Sequence, residues 1–453
     1  MVDLSKLEEK LVCSNCVAEE FLRHQVKLNG RTGTCGFCNS KLDCITIGCL
    51  ANLIKVAFDQ HFERIELDAD GNESDIDARL GITVKALIQA EAVVEEDVAS
   101  AFQKLLYERT VLDDYGDKAD FHNETKYKRT YPHHFEWQTK WRSLETSLKN
   151  RNRFFNSDVA LFLQRIFNEI DTFKTSDGSS VVTICGPGNK ISQLYRARAF
   201  QTDKSLSEAL KRPAKWLGPP SENARAGRMN AQGVSVFYGS TGPDAAVAEV
   251  RPPVGSKVAV AKFDIQQEIK LLDLNALANV EEEGSIFDAN YAERLKRSRF
   301  LKTFCERITM PIMPEAEGTD YIITQAIADY LAEAHFDIDG IIYPSSQAGN
   351  ADIANVVLFH KSSRASSAAD GTYESAIYMH GEEDIYSDYN IKPVNLDPEG
   401  WGLVFDTHTR PQILKLDEEA IVIKHITAVR FECLHFDVKI CDSWDSIQQP
   451  GAV

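Results

Sequence analysis

Four cysteines near the start of the chain carry the sharpest chemical signal. Cys13 and Cys16, then Cys35 and Cys38, form two C-x-x-C pairs separated by a loop. Each pair can turn around one ion, and four thiolates complete the tetrahedron of a structural zinc. Gly33 and Gly36, around the second pair, suit such a knuckle. Four thiolates leave no open position, so the predicted ion clamps the fold and does no catalysis. Four unrelated buried thiols would have no reason to show this regular spacing. Cys44, Cys49, Cys185, Cys305, Cys433 and Cys441 lack metal spacing and read as core residues.

A second group lies far downstream. Arg196 and Arg198 stand in LYRAR, and Arg228 and Asn230 in AGRMN. Tyr238 ends an apolar run, Glu249 closes a short helical pattern, and Ser345 and Ser346 follow Tyr343-Pro344. These types suit a nucleotide diphosphate. Guanidinium forks bind phosphate oxygens in bidentate geometry. A glycine beside Arg228 lets the backbone come close to a ligand. An aromatic at a strand end can stack on a flat base. A carboxylate near an anomeric carbon can stabilise an oxocarbenium-like transition state or orient an attacking group. Taken singly, each residue has a plainer reading: a surface ion pair for an arginine, half-buried core for a tyrosine, a solvated helix position for Glu249. A pocket needs these groups to converge, which sequence alone does not display.

Three regions must position them. Residues 1–45 hold the cysteine pairs. Residues 46–175 read as helical: Val98, Ala101, Phe102, Leu105 and Leu106 recur at helical spacing. So do Val159, Phe162, Leu163, Ile166, Phe167 and Ile170, with Ser157 as the expected N-cap. Residues 179–440 change texture. Short β-rich runs (VSVFY, KVAVAKFD, IKLLDL, DGIIYP, ANVVLF, AIVIK, ITAVRFE) alternate with turns and a few helices. Helices are expected at Ala245–Val250, capped by Asp244, and at Thr319–Ala334. The fold class is therefore multidomain α+β: a zinc ribbon, a helical middle and a mixed α+β C-terminal domain. Asp68, Asp70 and Asn72 begin like a calcium loop, but Glu73 replaces the glycine and Arg79 the terminal glutamate, so DADGNESD reads as an acidic turn.

Bulk properties narrow the partners. The 453 residues are 43% hydrophobic and 26% charged, with a formal net charge of -18. That acidity disfavours nucleic-acid binding. In the first region Lys6, Lys10, Arg23, Lys27, Arg31 and Lys41 are balanced by Asp3, Glu8, Glu9, Glu19, Glu20 and Asp43. A neutral ribbon fits a folding clamp or partner-binding module better than a nucleic-acid reader. MVDLSKLEEKL lacks the basic-then-apolar order of an export signal, which predicts a reducing, cytoplasmic setting. No apolar run is long enough to span a bilayer, so no membrane partner is expected.

In the order and spacing of LYRAR (194–198), AGRMNAQGVSVFYGS (226–240), AVAEVR (246–251), DGIIYPSSQAG (339–349) and ANVVLF (354–359), the chain resembles the RES family, over about residues 190–435. The resemblance implies a fold like that of ADP-ribosyltransferase toxins, with NAD+ as substrate. It also implies cleavage of the nicotinamide–ribose bond, with transfer to water or phosphate, by a toxin or defence effector held by an antitoxin or regulatory protein. Carried over by motif, Arg196 and Arg228 would grip the pyrophosphate, with Arg198 as a substitute for Arg196. Asn230 would support the phosphate loop and Tyr238 would stack in the pocket. Glu249 would stabilise the reacting ribose. Ser345 matches the family serine, with Ser346 as the neighbouring alternative. The helical region resembles the HEPN-type domain fused to some RES domains. Two departures are the long, proline-bearing segment between Arg196 and Arg228 and the added front regions, which suggest regulation. Nothing in the sequence excludes a homo-oligomer.

Two other readings compete. Some HEPN domains cut RNA with an arginine and a histidine a few residues apart, and Arg129 and His134 meet that spacing. However, Pro132 lies between them, and the basic, aromatic stretch of Lys126, Tyr127, Lys128, Arg129 and Tyr131 reads more simply as an exposed loop. The third reading is a partner-binding protein with an inactive RES domain. The arginines and Glu249 argue against it.

Overall fold

The structure is a computed structural model. It describes residues 4–65, 81–113, 120–132, 135–151, 153–220, 224–310, 317–333, 337–345, 353–366, 373–380, 386–393, 410–430 and 433–436. The acidic loop at 68–75, His134, Ser346 and Cys441 lie outside these residues.

The cysteine region is a three-stranded antiparallel sheet of β1 (Leu11–Cys13), β2 (Arg31–Thr34) and β3 (Lys41–Thr46), in the order β1-β3-β2. The helix Glu20–Asn29 interrupts it. Its first turn is held by the Glu19 carboxylate, which accepts from the Leu22 N–H at 2.7 Å. The chain then enters the helix Ile47–His61, which buries Ile47, Leu50, Ile54 and Phe58 at helical spacing. These join Val12, Val17 and Leu22 of the ribbon and Phe102 and Leu105 of the helix Glu96–Asp113 in one core. The ribbon and the first helices therefore share their apolar interior. A second small sheet, of β4 (Phe62–Arg64), β5 (Ile82–Thr83) and β6 (Lys126–Arg129), closes this unit.

The later helices of the middle stretch pack elsewhere. Phe135–Asn150 and Ser157–Phe167 place Trp137, Trp141, Phe162 and Ile166 in a core with Phe300, Phe304, Met229 and Val357. Asn156, one residue before the expected Ser157, is the cap and accepts from the Val159 N–H at 3.3 Å.

The C-terminal part is built on a nine-stranded sheet. Its strands are β7 (Val182–Cys185), β8 (Gln193–Phe200), β9 (Phe237–Ser240), β10 (Lys257–Ile265), β11 (Ile269–Asp273), β12 (Gly340–Pro344), β13 (Ala354–Leu358), β14 (Ala365–Ser366) and, beyond a separate hairpin of β15 (Tyr373–His380) and β16 (Tyr386–Pro393), β17 (Leu414–His425). The spatial order is β14-β17-β10-β8-β9-β13-β12-β11-β7, mixed in direction: β11–β12 and β14–β17 are parallel. The fold is thus mixed α+β with one large mixed sheet.

One helix bridges the two units. Ala289–Thr309 starts at Asp288, whose side chain accepts from the Asn290 N–H at 3.0 Å. Just before it, Ile286 and Phe287 sit in the front core, while Phe300, Phe304 and Ile308 sit in the rear one. At ~1.5 Å per residue the helix spans about 30 Å between them.

Several local expectations are corrected. The strand expected at VSVFY begins only at Phe237, because Val234 and Ser235 belong to a loop tied by Asn230. The helix before Glu249 is Pro243–Glu249; proline at its first position extends it past the expected start, and Gly242 stands at the N-cap in place of Asp244. Glu317–Glu333 is the helix expected at Thr319–Ala334. Residues 426–430 of the ITAVRFE run are irregular. Lys126–Arg129 is a strand instead of a loop, because Tyr127 is buried against Phe58. Cys44, Cys185 and Cys305 are buried, but Cys49 and Cys433 are exposed. Among the described residues, no helix is long and apolar enough to cross a membrane.

Candidate functional site

The ribbon brings its four thiols together. The Cys13 and Cys38 sulfurs lie 3.5 Å apart and those of Cys16 and Cys35 3.8 Å apart. All four ligand atoms fall within 4.8 Å of one another. A tetrahedral ion with metal–sulfur bonds near 2.3 Å needs sulfurs roughly 3.8 Å apart, so the set fits one metal ion. The knuckles are made by turns: the Cys16 N–H donates to the Cys13 carbonyl at 3.1 Å and the Asn39 N–H to the Cys35 carbonyl at 3.1 Å. Asn39 takes a left-handed φ of 59° to close the second. Cys44 is buried beside the cluster, its thiol turned to the Leu42 carbonyl at 3.3 Å, and walls the site without joining it.

The second constellation grows out of register. Across the large sheet, Tyr195 of β8 faces Ser240 of β9, Ser240 faces Asn355 of β13, and Asn355 faces Tyr343 of β12. Residues opposite one another share a face, so one transverse row presents tyrosine, serine, asparagine and tyrosine to the same side. The helix Pro243–Glu249 covers this side, packing Ala246 on Ala197, Val258 and Val260. Glu249, its last residue, reaches the row: the Asn355 amide donates to its Oε1 at 2.7 Å, and the Ser345 hydroxyl approaches the same oxygen at 3.5 Å. Asn355 is only 4% exposed and Ser345 8%, whereas Glu249 stands at an exposed edge. The chain turns sharply after it, through Arg251 at a φ of 42°, into two prolines.

The loop carrying Arg228 lies on the same face. Tyr238 locks it: the hydroxyl accepts from the Met229 N–H at 2.9 Å and donates to Asn230 Oδ1 at 2.8 Å. The Asn230 amide then donates to the carbonyls of Arg225, Ala231 and Val234. A Cβ on Gly227 would stand 2.7 Å from both Asn230 Oδ1 and the Tyr238 hydroxyl, so only glycine lets the loop close this tightly. Gln325 ties the same loop from the helix Glu317–Glu333, donating to the Gly227 and Asn230 carbonyls at 2.9 Å each. The Arg228 guanidinium donates to the carbonyls of Thr309, at 3.0 Å, and Met310, and so caps the bridging helix.

Tyr343 belongs to the same transverse row, opposite Asn355. Burial first, and the Glu249 charge second, push its hydroxyl up to about 12, while Arg228 pulls it down. Arg228 and Glu249 are thus both within electrostatic reach of one side chain. Tyr238 is likewise raised, chiefly by burial.

Arg196 and Arg198 come from the other face. Alternation along β8 turns Arg196 toward Phe237, whose ring centre is 5.7 Å from the guanidinium carbon. Burial, then Arg198, pulls its pKa down to about 10, against an opposing effect of Tyr238. Its Nη1 is buried and has no partner among the described residues. Arg198 is exposed and donates to the Trp216 carbonyl at 2.8 Å. The two faces meet where the sheet splits: β8 pairs along its length with β10 but with β9 only at Tyr195–Ser240.

Arg129, of the competing nuclease reading, is in β6 and ion-paired with Glu91 at 3.1 Å. Asn355 is not among the residues that the sequence motifs single out. Its signal was available: one amide in an otherwise apolar strand.

Residues 193–377 match the family model of the RES domain, from the first residue of β8 into β15. No curated protein and no solved structure matches the chain.

Proposed function

With residues 193–377 read as a RES domain, we propose that the chain cleaves the nicotinamide–ribose bond of NAD+. The observation that carries this reading is the Glu249 carboxylate, held at the rim of a split sheet by a buried asparagine and serine, with Arg196, whose buried Nη1 has no partner among the described residues, on the far side of the same split. A dinucleotide lying across the split meets the Glu249 carboxylate on one face and the Arg196 guanidinium on the other.

The C1′–N bond breaks with its electron pair going to the pyridinium nitrogen, so nicotinamide leaves neutral and needs no acid. Positive charge builds on the ribose, and Glu249 stabilises it; fixed charges of this kind lower barriers by several kcal/mol. Water or phosphate then bonds to C1′ and loses a proton. Ser345 assists beside Glu249. Arg196 holds the pyrophosphate from one face of the split and Arg228 from the other, Arg228 with guanidinium N–H groups that the Thr309 and Met310 carbonyls do not take. Tyr238 and Asn230 shape the loop that carries Arg228, and the Tyr238 ring offers a stacking face. Ser346 is the neighbouring candidate for the serine role.

The four-cysteine cluster holds a structural zinc. Its part is to fold the front unit, which the bridging helix joins to the proposed site. A toxin or defence effector restrained by its own front half, or by a partner docking there, fits this architecture.

The direct test is purified full-length chain incubated with NAD+, with free nicotinamide followed in the presence and absence of phosphate. ADP-ribose marks hydrolysis, and a phosphorylated ADP-ribose marks phosphorolysis. No nicotinamide in either condition, from metal-loaded folded protein, removes the proposal.

A further inference from the structure

We infer that Asn355 is the positioning residue for Glu249. The inference rests on the NAD+-cleaving reading and adds a group to it. Glu249 is the last residue of a seven-residue helix, on an exposed edge, and a glutamate there is free to sample many rotamers. Only two side chains among the described residues engage its carboxylate, and Asn355 is the closer, at 2.7 Å against 3.5 Å for Ser345. Asn355 cannot follow a wandering partner. It is 4% exposed, in a strand paired on both sides, with β9 through Ser240 and with β12 through Tyr343.

The orientation of the amide follows from chemistry. A carboxylate oxygen only accepts, so the amide nitrogen must face Glu249 and the carbonyl must face away. That carbonyl, Asn355 Oδ1, is buried and accepts from no described residue. Asn355 therefore makes a single side-chain hydrogen bond, and it lies between apolar neighbours in ANVVL. A buried amide with one end unsatisfied is a net cost to the fold. A valine of similar size would suit the strand better. The one thing the asparagine does that valine cannot is hold Glu249.

Two variants test this with kinetics and thermal unfolding together. Asn355→Val is expected to be at least as stable as the wild type while kcat for nicotinamide release falls about 10- to 100-fold with KM within about threefold, because a misplaced charge loses transition-state and not ground-state interactions. The swap Asn355→Asp with Glu249→Gln rebuilds the same hydrogen bond with donor and acceptor exchanged. It is expected to recover the stability lost in Asn355→Asp alone, where two carboxylates face each other, yet to leave turnover low, since the charge has moved to the strand. A merely structural Asn355 would give a less stable Asn355→Val with unchanged kcat, and a swap no more stable than Asn355→Asp alone would show that the two side chains are not bonded. Either result overturns the inference. A wild-type chain that releases no nicotinamide is a different failure and removes the reaction itself.

Discussion

Replacing Tyr238 with phenylalanine separates two roles that the sequence merged. The ring, and any stacking it offers, stays. Only the hydroxyl goes, and with it two hydrogen bonds, from the Met229 N–H at 2.9 Å and to Asn230 Oδ1 at 2.8 Å. Asn230 is 2% exposed, so its carbonyl oxygen and the Met229 amide are left behind in a closed space. Each orphaned buried group costs about 1–3 kcal/mol, and partial relaxation of a surface loop keeps the pair near the low end, about 2–3 kcal/mol together. At ~1.4 kcal/mol per decade this opens the loop roughly 30- to 150-fold more often. Amide hydrogen exchange at Met229 reads that number directly, because local opening exposes this one N–H. Substrate affinity should fall with it, since Arg228 rides on the loop, although the aromatic face is intact. Protection at Met229 within about threefold of wild type would refute the lock. Unchanged protection with lost affinity would mean that the hydroxyl meets the substrate instead.

The other expectations are shorter. Glu249→Gln keeps an acceptor for the Asn355 amide and so keeps the fold and NAD+ binding, but removes the charge; turnover should fall by at least about 100-fold, and unchanged turnover would take Glu249 out of the mechanism. Arg228→Ala should weaken NAD+ binding, and it also strips the cap from the Thr309 end of the bridging helix; a titration with wild-type affinity contradicts the first part. Removing the metal with a chelator, or making Cys35→Ser, should cost one equivalent of zinc and unfold residues 11–61 as a unit, because Val12, Val17 and Leu22 share a core with Ile47 and Ile54; a metal-free ribbon that kept its exchange protection would falsify the clamp role. His61 is buried, its Nε2 has no partner among the described residues, and its ring is stacked 6.0 Å from Tyr291 of the bridging helix. Burial first, then Arg129, lowers its pKa from the usual 6.5 to about 4. Between these values the unfolded chain binds the proton and the folded chain does not, so stability rises with pH across that window and falls on acidification. Denaturation curves at about pH 7 and about pH 5 should differ more for the wild type than for His61→Phe, and equal differences would remove His61 as a cause.

Much of this protein is legible in its sequence, for physical reasons that can be named. A four-thiolate metal site depends on short loops, and loop length is written in the spacing of Cys13, Cys16, Cys35 and Cys38. Strands such as Lys257–Ile265 and Ile269–Asp273 were visible because β-rich runs bounded by turns have few other ways to fold. The segments of the RES motif were legible because each is local. Tertiary structure decided what those segments do to one another. Asn355 and Glu249 lie far apart in the chain, and their meeting depends on strand register, which no local pattern encodes. The same holds for Arg196, sent to the opposite face from Tyr195 by one step of alternation, and for Arg228, whose guanidinium found the carbonyl end of a helix far downstream. The division of the middle helices between two cores was equally invisible, because amphipathic spacing says that a face must be buried but not against what.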